Sequence, residues 1–221
     1  ISLNNILKKI TKKTKVIFFA NPNNPSGTIL YRKEICKFLQ EVSEDIIIVL
    51  DGAYAEYVNE ANYTDGIDLV KKFKNVIVTR TFSKVYALAG LRVGWAYSSL
   101  EIIEILEKIR GPFNVNLIAQ IAAAEILQNN RFLKKSIRHN FVWRNWLRKK
   151  LEKLNFKVYD SFGNFLLVKN TSTNISAKEI VSKLKDNNII VRDLNNYGLK
   201  DFFRVSIGLE SELKIFVKEL Y

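Results

Sequence analysis

With 221 residues, 48% of them hydrophobic and 26% charged, the chain has the apolar content for one large packed domain or two small ones, which excludes disorder as its main state. Its charge of +13, from 35 Lys and Arg against 22 Asp and Glu, suits an anionic partner, and small phosphorylated molecules meet that need as well as nucleic acid does. One cysteine, Cys36, and one histidine, His139, exclude an internal disulfide and a Cys/His zinc cluster, so no metal is expected.

No apolar run reaches bilayer length and the N-terminus lacks the blocks of a signal peptide, so a membrane partner is not expected and a cytoplasmic location is. The chain starts at Ile1 and has no methionine, and an upstream portion is therefore expected to be missing. In chain order, Val16 to Ala20, Ile46 to Leu50 and Val76 to Thr79 read as short buried strands. Helical patterns over Tyr31 to Val42 and Asp65 to Phe73 separate them, and Val93 to Tyr97 adds another strand. Helices follow over Leu100 to Arg110, Leu117 to Leu127 and Arg131 to Leu154, with Gly111-Pro112 as a break. Beyond them come strands at Lys157 to Tyr159, Phe165 to Val168, Ile189 to Arg192 and Phe203 to Ile207, with helices over Ser176 to Asn187 and Ser211 to Tyr221. This predicts an α/β chain: an incomplete, mostly parallel sheet domain over 1–112, linking helices over 113–155 and a small α+β domain over 156–221.

The densest basic stretch, Arg131 to Lys157, carries apolar residues at helical spacing and is read as an amphipathic helix with a solvated basic face. His139, in the middle of it, is read as a helix-surface residue. Neither a dinucleotide fingerprint nor a P-loop motif occurs.

Ligand crevices of open parallel sheets lie outside the carboxyl ends of the strands. The first strand there delivers Asn21-Pro22-Asn23-Asn24-Pro25-Ser26-Gly27-Thr28, the second Asp51-Gly52-Ala53-Tyr54, and the third Thr81-Phe82-Ser83-Lys84, with Arg92 soon after. Taken singly, each has a plain structural reading: a turn at Asn24 to Gly27, a helix cap at Asp51, core packing for Tyr54, a solvated Lys84 and a surface ion pair for Arg92. Their coincidence at three successive strand ends favours a polar ligand, because such groups are costly to bury unsatisfied.

The segments NPNNPSGT (Asn21 to Thr28), DGAYAEY (Asp51 to Tyr57), TFSKVYALAGLRVGWA (Thr81 to Ala96), PFNVN (Pro112 to Asn116), VRD (Val191 to Asp193) and FRVSIG (Phe203 to Gly208) resemble the fold type I aminotransferases that use pyridoxal 5′-phosphate (PLP). Within that fold the likeness is greatest to the histidinol-phosphate aminotransferases. It implies the fold type I architecture, PLP as cofactor, and transamination of a phosphorylated amino alcohol with 2-oxoglutarate and glutamate as the partner pair, in histidine biosynthesis by a homodimer. Lys84 fits the lysine that holds the cofactor and moves a proton in catalysis. Asp51 resembles the partner of the pyridine nitrogen, Tyr54 and Asn24 the partners of the phenolic oxygen, and Ser83, Arg92 and Thr81 the phosphate cup. Arg204 and Arg192 fit the arginines for the substrate's acidic groups, and Asn164 a position near the substrate. A rim ion pair of Arg192 with Asp193 or Asp201 is the competing reading.

Complete members of that family have a Gly-rich segment and a stacking aromatic residue before the position of Asn24, and neither occurs here. The chain alone is accordingly expected to hold PLP weakly, to transaminate poorly and to expose sheet edges that invite aggregation. An aromatic amino acid aminotransferase and a threonine-phosphate decarboxylase are alternatives on the same fold. A non-catalytic basic module for nucleic acid or another anion is the alternative of another class, disfavoured because it leaves the strand-end residues unexplained.

Overall fold

The computed structural model describes residues 1–220. They form two compact units, Ile1–Asn23 with Thr28–Ser136, and Asn24–Gly27 with the residues from Ile137 onward.

The first unit runs α1 (Leu3–Leu7), β1 (Val16–Ala20), α2 (Arg32–Glu41), β2 (Ile47–Asp51), α3 (Ile67–Val70), β3 (Val76–Thr81), β4 (Gly94–Tyr97), α4 (Leu100–Ile109) and α5 (Leu117–Gln128). Its sheet has the order β1-β2-β3-β4. Strands β1 to β3 are parallel, with Ala20 opposite Asp51 and Asp51 opposite Thr79, so three strand ends share one edge. Strand β4 returns antiparallel, Thr81 facing Gly94. The Val- and Ile-rich runs form these strands because branched side chains pack well on a pleated surface covered by helices. Helix α2 buries Ile35, Phe38 and Leu39, and Phe38 meets Phe19 of β1 edge-on at 5.7 Å. Each such side chain removed from water contributes roughly 1.5–3 kcal/mol.

Not every element matches its expectation. The helix expected over Asp65 to Phe73 shrinks to α3, because Gly66 at φ 89° starts it and the chain turns again after Val70. Strand β3 extends two residues beyond Thr79, since Arg80 and Thr81 pair with β4 despite their polarity. Helix α1 went unread because five residues carry too little periodicity to register.

The second unit holds most of α6 (Asn130–Lys153), then β5 (Lys157–Val158), β6 (Phe165–Lys169), α7 (Ala177–Asp186), β7 (Arg192–Asp193), β8 (Phe202–Ser206) and α8 (Glu210–Lys218). Its sheet is antiparallel with the order β5-β6-β8-β7. Leu147 and Leu151 of α6, Leu184 of α7 and Phe216 of α8 pack with Leu166, Val168 and Phe203 of the sheet. The strand expected over Ile189 to Arg192 is confined to Arg192–Asp193, because only those residues reach a ladder, on β8. Of the closing helix expected over Ser211 to Tyr221, Tyr221 lies outside the described residues.

His139, read from the sequence as a surface residue, is half-buried with Nε2 2.9 Å from the Gly208 carbonyl oxygen. Among the described residues no helix is long and apolar enough to cross a membrane, and no cluster of acidic, His and Cys side chains is arranged to hold a metal. Large apolar side chains do face solvent, Phe18 at 72% and Phe113 at 96% exposure among them, and all four residues of the outer strand β4 are exposed.

Candidate active site

Strand β1 ends in Asn21, fully buried, whose side chain closes the following loop by accepting from Leu30 N at 2.8 Å and donating to Leu30 O at 3.0 Å. Its backbone N–H donates to Asp51 O at 2.9 Å, which ties the first strand end to the second. The Tyr63 hydroxyl donates to Asn21 O at 2.7 Å, and burial pushes that phenol well above its ordinary pKa, so it remains a donor.

At the second strand end the Asp51 carboxylate is exposed and accepts from Ala53 N at 3.0 Å, an Asx turn that aims the loop back over the sheet. Tyr54, three residues on, is 5% exposed. The Lys84 ammonium stands over the Tyr54 ring at 5.4 Å from its centroid and is half-buried. Thr81 at the end of β3 accepts from Ser83 N at 3.0 Å, which turns the chain into the Ser83-Lys84 loop. Arg92 adopts a left-handed backbone conformation, φ 54°, and its Nη1 donates to Ala89 O at 2.8 Å and to Ser83 Oγ at 3.2 Å. The guanidinium is thereby fixed beside a hydroxyl and a carbonyl, and among the described residues no carboxylate pairs with it, a donor set that suits an anion.

Buried Arg80, which the sequence analysis did not select, lies beneath this cluster. Its Nη1 donates to Gly52 O at 3.3 Å and approaches Glu56 Oε1 at 3.5 Å, while Nη2 meets Asp65 Oδ2 at 3.0 Å. Burial raises the Glu56 pKa, opposed by its own backbone N–H and by the Arg80 charge. The missed signal was a charged residue in an apolar strand four positions before Lys84.

In the second unit, the turn residue Gly27 has φ 76° and a Cβ there would run into the Ser161 side chain, so glycine is required on both counts. Exposed Asn24, in the same turn, accepts from Arg204 Nη1 through Oδ1 at 2.6 Å. Arg192 of β7 sits directly opposite Arg204 of β8 in the ladder. Like charges in that register repel unless an anion joins them. Arg204 also lies over the Phe165 ring at 5.1 Å, and its Nε is buried without a hydrogen-bond partner. Both arginines line an open cleft of about 450 Å³ with Asn196 and Ser206. Asp193 accepts from Asn195 N and Nδ2 at 3.2 and 2.8 Å.

Asn164 stands at the head of β6, where its carbonyl accepts from Ile207 N at 2.8 Å. Arg144 Nη1 and Asn140 Nδ2 of α6 both donate to the preceding Gly163 carbonyl, at 3.0 and 3.2 Å. Burial pushes the Arg144 pKa down, the mark of a guanidinium drawn inward. The basic stretch is thus partly inward-facing, which its charge density alone concealed.

Residues 1–220 match the family Aminotransferase class I and II. The chain belongs to that family. It is 43% identical over 218 residues to the histidinol-phosphate aminotransferase of Pelagibacter ubique, covering 98% of this chain and 61% of that protein. Among solved structures, the histidinol-phosphate aminotransferase of Sinorhizobium meliloti in complex with pyridoxal 5′-phosphate superposes with a TM-score of 0.91 at 27% identity, covering 99% of this chain and 60% of that one. The L-threonine-O-3-phosphate decarboxylase of Porphyromonas gingivalis follows at a TM-score of 0.80 and 25% identity, covering 100% and 68%. The fold is that of the fold type I aminotransferases, and the chain spans about three fifths of the length of the curated relatives it matches.

Proposed function

We propose that this aminotransferase-family chain carries the cofactor lysine and the substrate arginines of a PLP-dependent transamination of histidinol phosphate with 2-oxoglutarate. The observation that carries the reading is the facing pair Arg192 and Arg204, with one buried guanidinium nitrogen of Arg204 lacking a partner. Two opposed cations and an unmet donor are costly without an anion, and both the phosphate of the amine and the carboxylate of the oxo acid supply one.

The strand-end groups of the first unit fit PLP by their chemistry. Lys84 would hold it through Nζ, Asp51 would set a negative charge against its ring nitrogen, and Tyr54 would donate to its phenolic oxygen. Arg92, Ser83 and Thr81 would bind its phosphate. When bound, the cofactor supplies an electron sink for the carbanion formed at the substrate α-carbon. Lys84 Nζ would move a proton at the substrate α-carbon as general acid/base. Arg192 and Arg204 would hold the substrate by its acidic groups. Asn164, at the head of β6, would lie near the substrate.

The test is reduction of the PLP-treated chain with borohydride and peptide mapping, beside Lys84→Ala. Selective modification at Lys84 is expected, and scattered labelling over many lysines would overturn the cofactor reading. Amine exchange from histidinol phosphate to 2-oxoglutarate is then compared with release of CO2 from threonine phosphate. The likeness to the decarboxylase makes the second measurement necessary, and CO2 release without amine exchange would replace the transaminase reading.

A further inference from the structure

Arg80 is an expensive residue to keep. Its side chain is 4% exposed, yet it carries a permanent charge, and its Nε is buried with no hydrogen-bond partner. An apolar residue of similar volume is often as good for stability at such a site, and the ion pairs with Glu56 and Asp65 do not by themselves explain the choice. The reason lies in what the guanidinium touches. Nη1 donates to Gly52 O at 3.3 Å and Nη2 to Asp65 O at 3.2 Å, so a single planar fork holds the carbonyls at both ends of the 52–65 loop.

The adjoining loop gives way to it. A Cβ on Gly52 would stand 3.0 Å from Arg80 Nε. Glycine in Asp51-Gly52-Ala53-Tyr54 is therefore fitted to the arginine beneath it. The backbone of Arg80 belongs to β3, which leads within four residues to Lys84. One residue thus joins the Asp51–Tyr54 loop to the strand that delivers Lys84.

We propose that Arg80 is a positioning residue that fixes the Asp51–Tyr54 loop relative to Lys84. Its consequence for the cofactor rests on the reading of Lys84 and Asp51 given above. Its hold on the loop is independent of that reading. In this role Arg80 acts through the loop, by its bonds to the Gly52 and Asp65 carbonyls.

Five variants of the full chain test this: Arg80→Met, Arg80→Lys, Gly52→Ala, Arg80→Met with Gly52→Ala, and Arg80→Met with Glu56→Gln, the last leaving no uncompensated buried carboxylate. Amide exchange without any ligand is the first readout. In Arg80→Met the Ala53 and Ala55 amides are expected to exchange about ten-fold faster while Phe19 and Leu50 are unchanged, the pattern of local opening. PLP titration with borohydride trapping is the second. Half-saturation is expected to rise about ten-fold in Arg80→Met and in Gly52→Ala, with the label still on Lys84 at saturation, as for a displaced supporting contact. Arg80→Lys, able to serve one carbonyl at a time, should fall between. Because Gly52→Ala acts by displacing the guanidinium, it should add nothing once Arg80 is Met.

Uniformly faster exchange throughout the first unit would reduce Arg80 to a general stability residue and overturn the proposal. Wild-type exchange at Ala53 and Ala55 in Arg80→Met with Glu56→Gln would overturn it as well. Absence of Lys84 labelling in the wild-type chain would instead overturn the cofactor reading, and the exchange measurement would still decide whether Arg80 holds the loop.

Discussion

The two units present charged groups in opposite ways. In the first, the parallel strands are mostly apolar, β2 and β3 largely buried and β1 exposed on one face, and the candidate residues collect at and just past the strand ends: Asp51, Tyr54, Ser83 and Lys84. In the second, the antiparallel ladder itself carries the charge, with Arg192 and Arg204 facing each other from within β7 and β8. A parallel sheet places a site at its edge because backbone direction brings several strand ends together. An antiparallel one alternates chain direction, so a shared patch is most simply built by register, residue opposite residue. The first arrangement can be rebuilt by changing loops, and the second only by changing the ladder.

The comparison predicts a division of labour, and Lys84→Ala is its sharpest break. That variant should lose all covalent attachment of PLP, measured as disappearance of the reduced-cofactor peptide, and retain binding of a substrate anion in the second unit. Loss of both would mean that the units do not act separately. Next in size are the cores. Phe38→Ala in the first unit and Phe203→Ala in the second, at 1% and 0% exposure, should each cost about 3–5 kcal/mol. Hydrogen exchange should rise in the cluster that holds the altered residue and not in the other, and an equal rise in both would show a single cooperative fold. Arg204→Ala should come third. Losing a charged hydrogen-bonding partner of a substrate anion is worth about 1.5–3 kcal/mol, read as a lower kcat/KM or as weaker competition by inorganic phosphate, with Lys84 labelling unchanged.

Much of the first unit was legible because a short apolar run flanked by polar turns fits a buried strand and little else. Strand β1 fell on Val16–Ala20 as the pattern predicts, and the register of Ala20, Asp51 and Thr79 brings three strand ends to one edge. What escaped was what the pattern treats as noise. Arg80 sits in a strand where periodicity sees one polar interruption, and its partners Gly52, Glu56 and Asp65 are spread over a loop whose closure no local signal announces. Arg144 was hidden by neighbours of its own charge, although one turn of helix phase separates an inward guanidinium from a solvated one. The β7 ladder was misjudged by three residues because Ile189 to Val191 look like a strand but have no partner strand beside them.

Smaller effects refine the comparison from outside the candidate site. In the first unit, burial alone would raise the Asp68 carboxyl pKa. The Thr64 hydroxyl, donating at 2.5 Å, and then the Arg32 guanidinium at 2.7 Å outweigh it and leave the pKa below its ordinary value of 3.8. The folded state thus prefers the ionised form. Its contribution is present above the unfolded-state pKa and is lost as pH falls through the lower folded one. Asp68→Asn should flatten the acid limb of thermal stability below about pH 4 and change little at pH 7 beyond a constant offset, as linkage requires. An acid limb that keeps its slope in this variant would remove Asp68 from the account. The smallest change is in the second unit, where Ser176 caps α7 by accepting from Glu179 N at 3.2 Å while Glu179 returns a bond to Ser176 N at 2.8 Å. Ser176→Ala should cost about 1 kcal/mol, as for other N-caps. Since α7 packs Ile180 and Leu184 on the antiparallel sheet, that loss should appear as faster exchange in α7 and β8 and leave β1 to β3 untouched. A shift in the parallel strands would show that the second unit's helices support more than their own ladder.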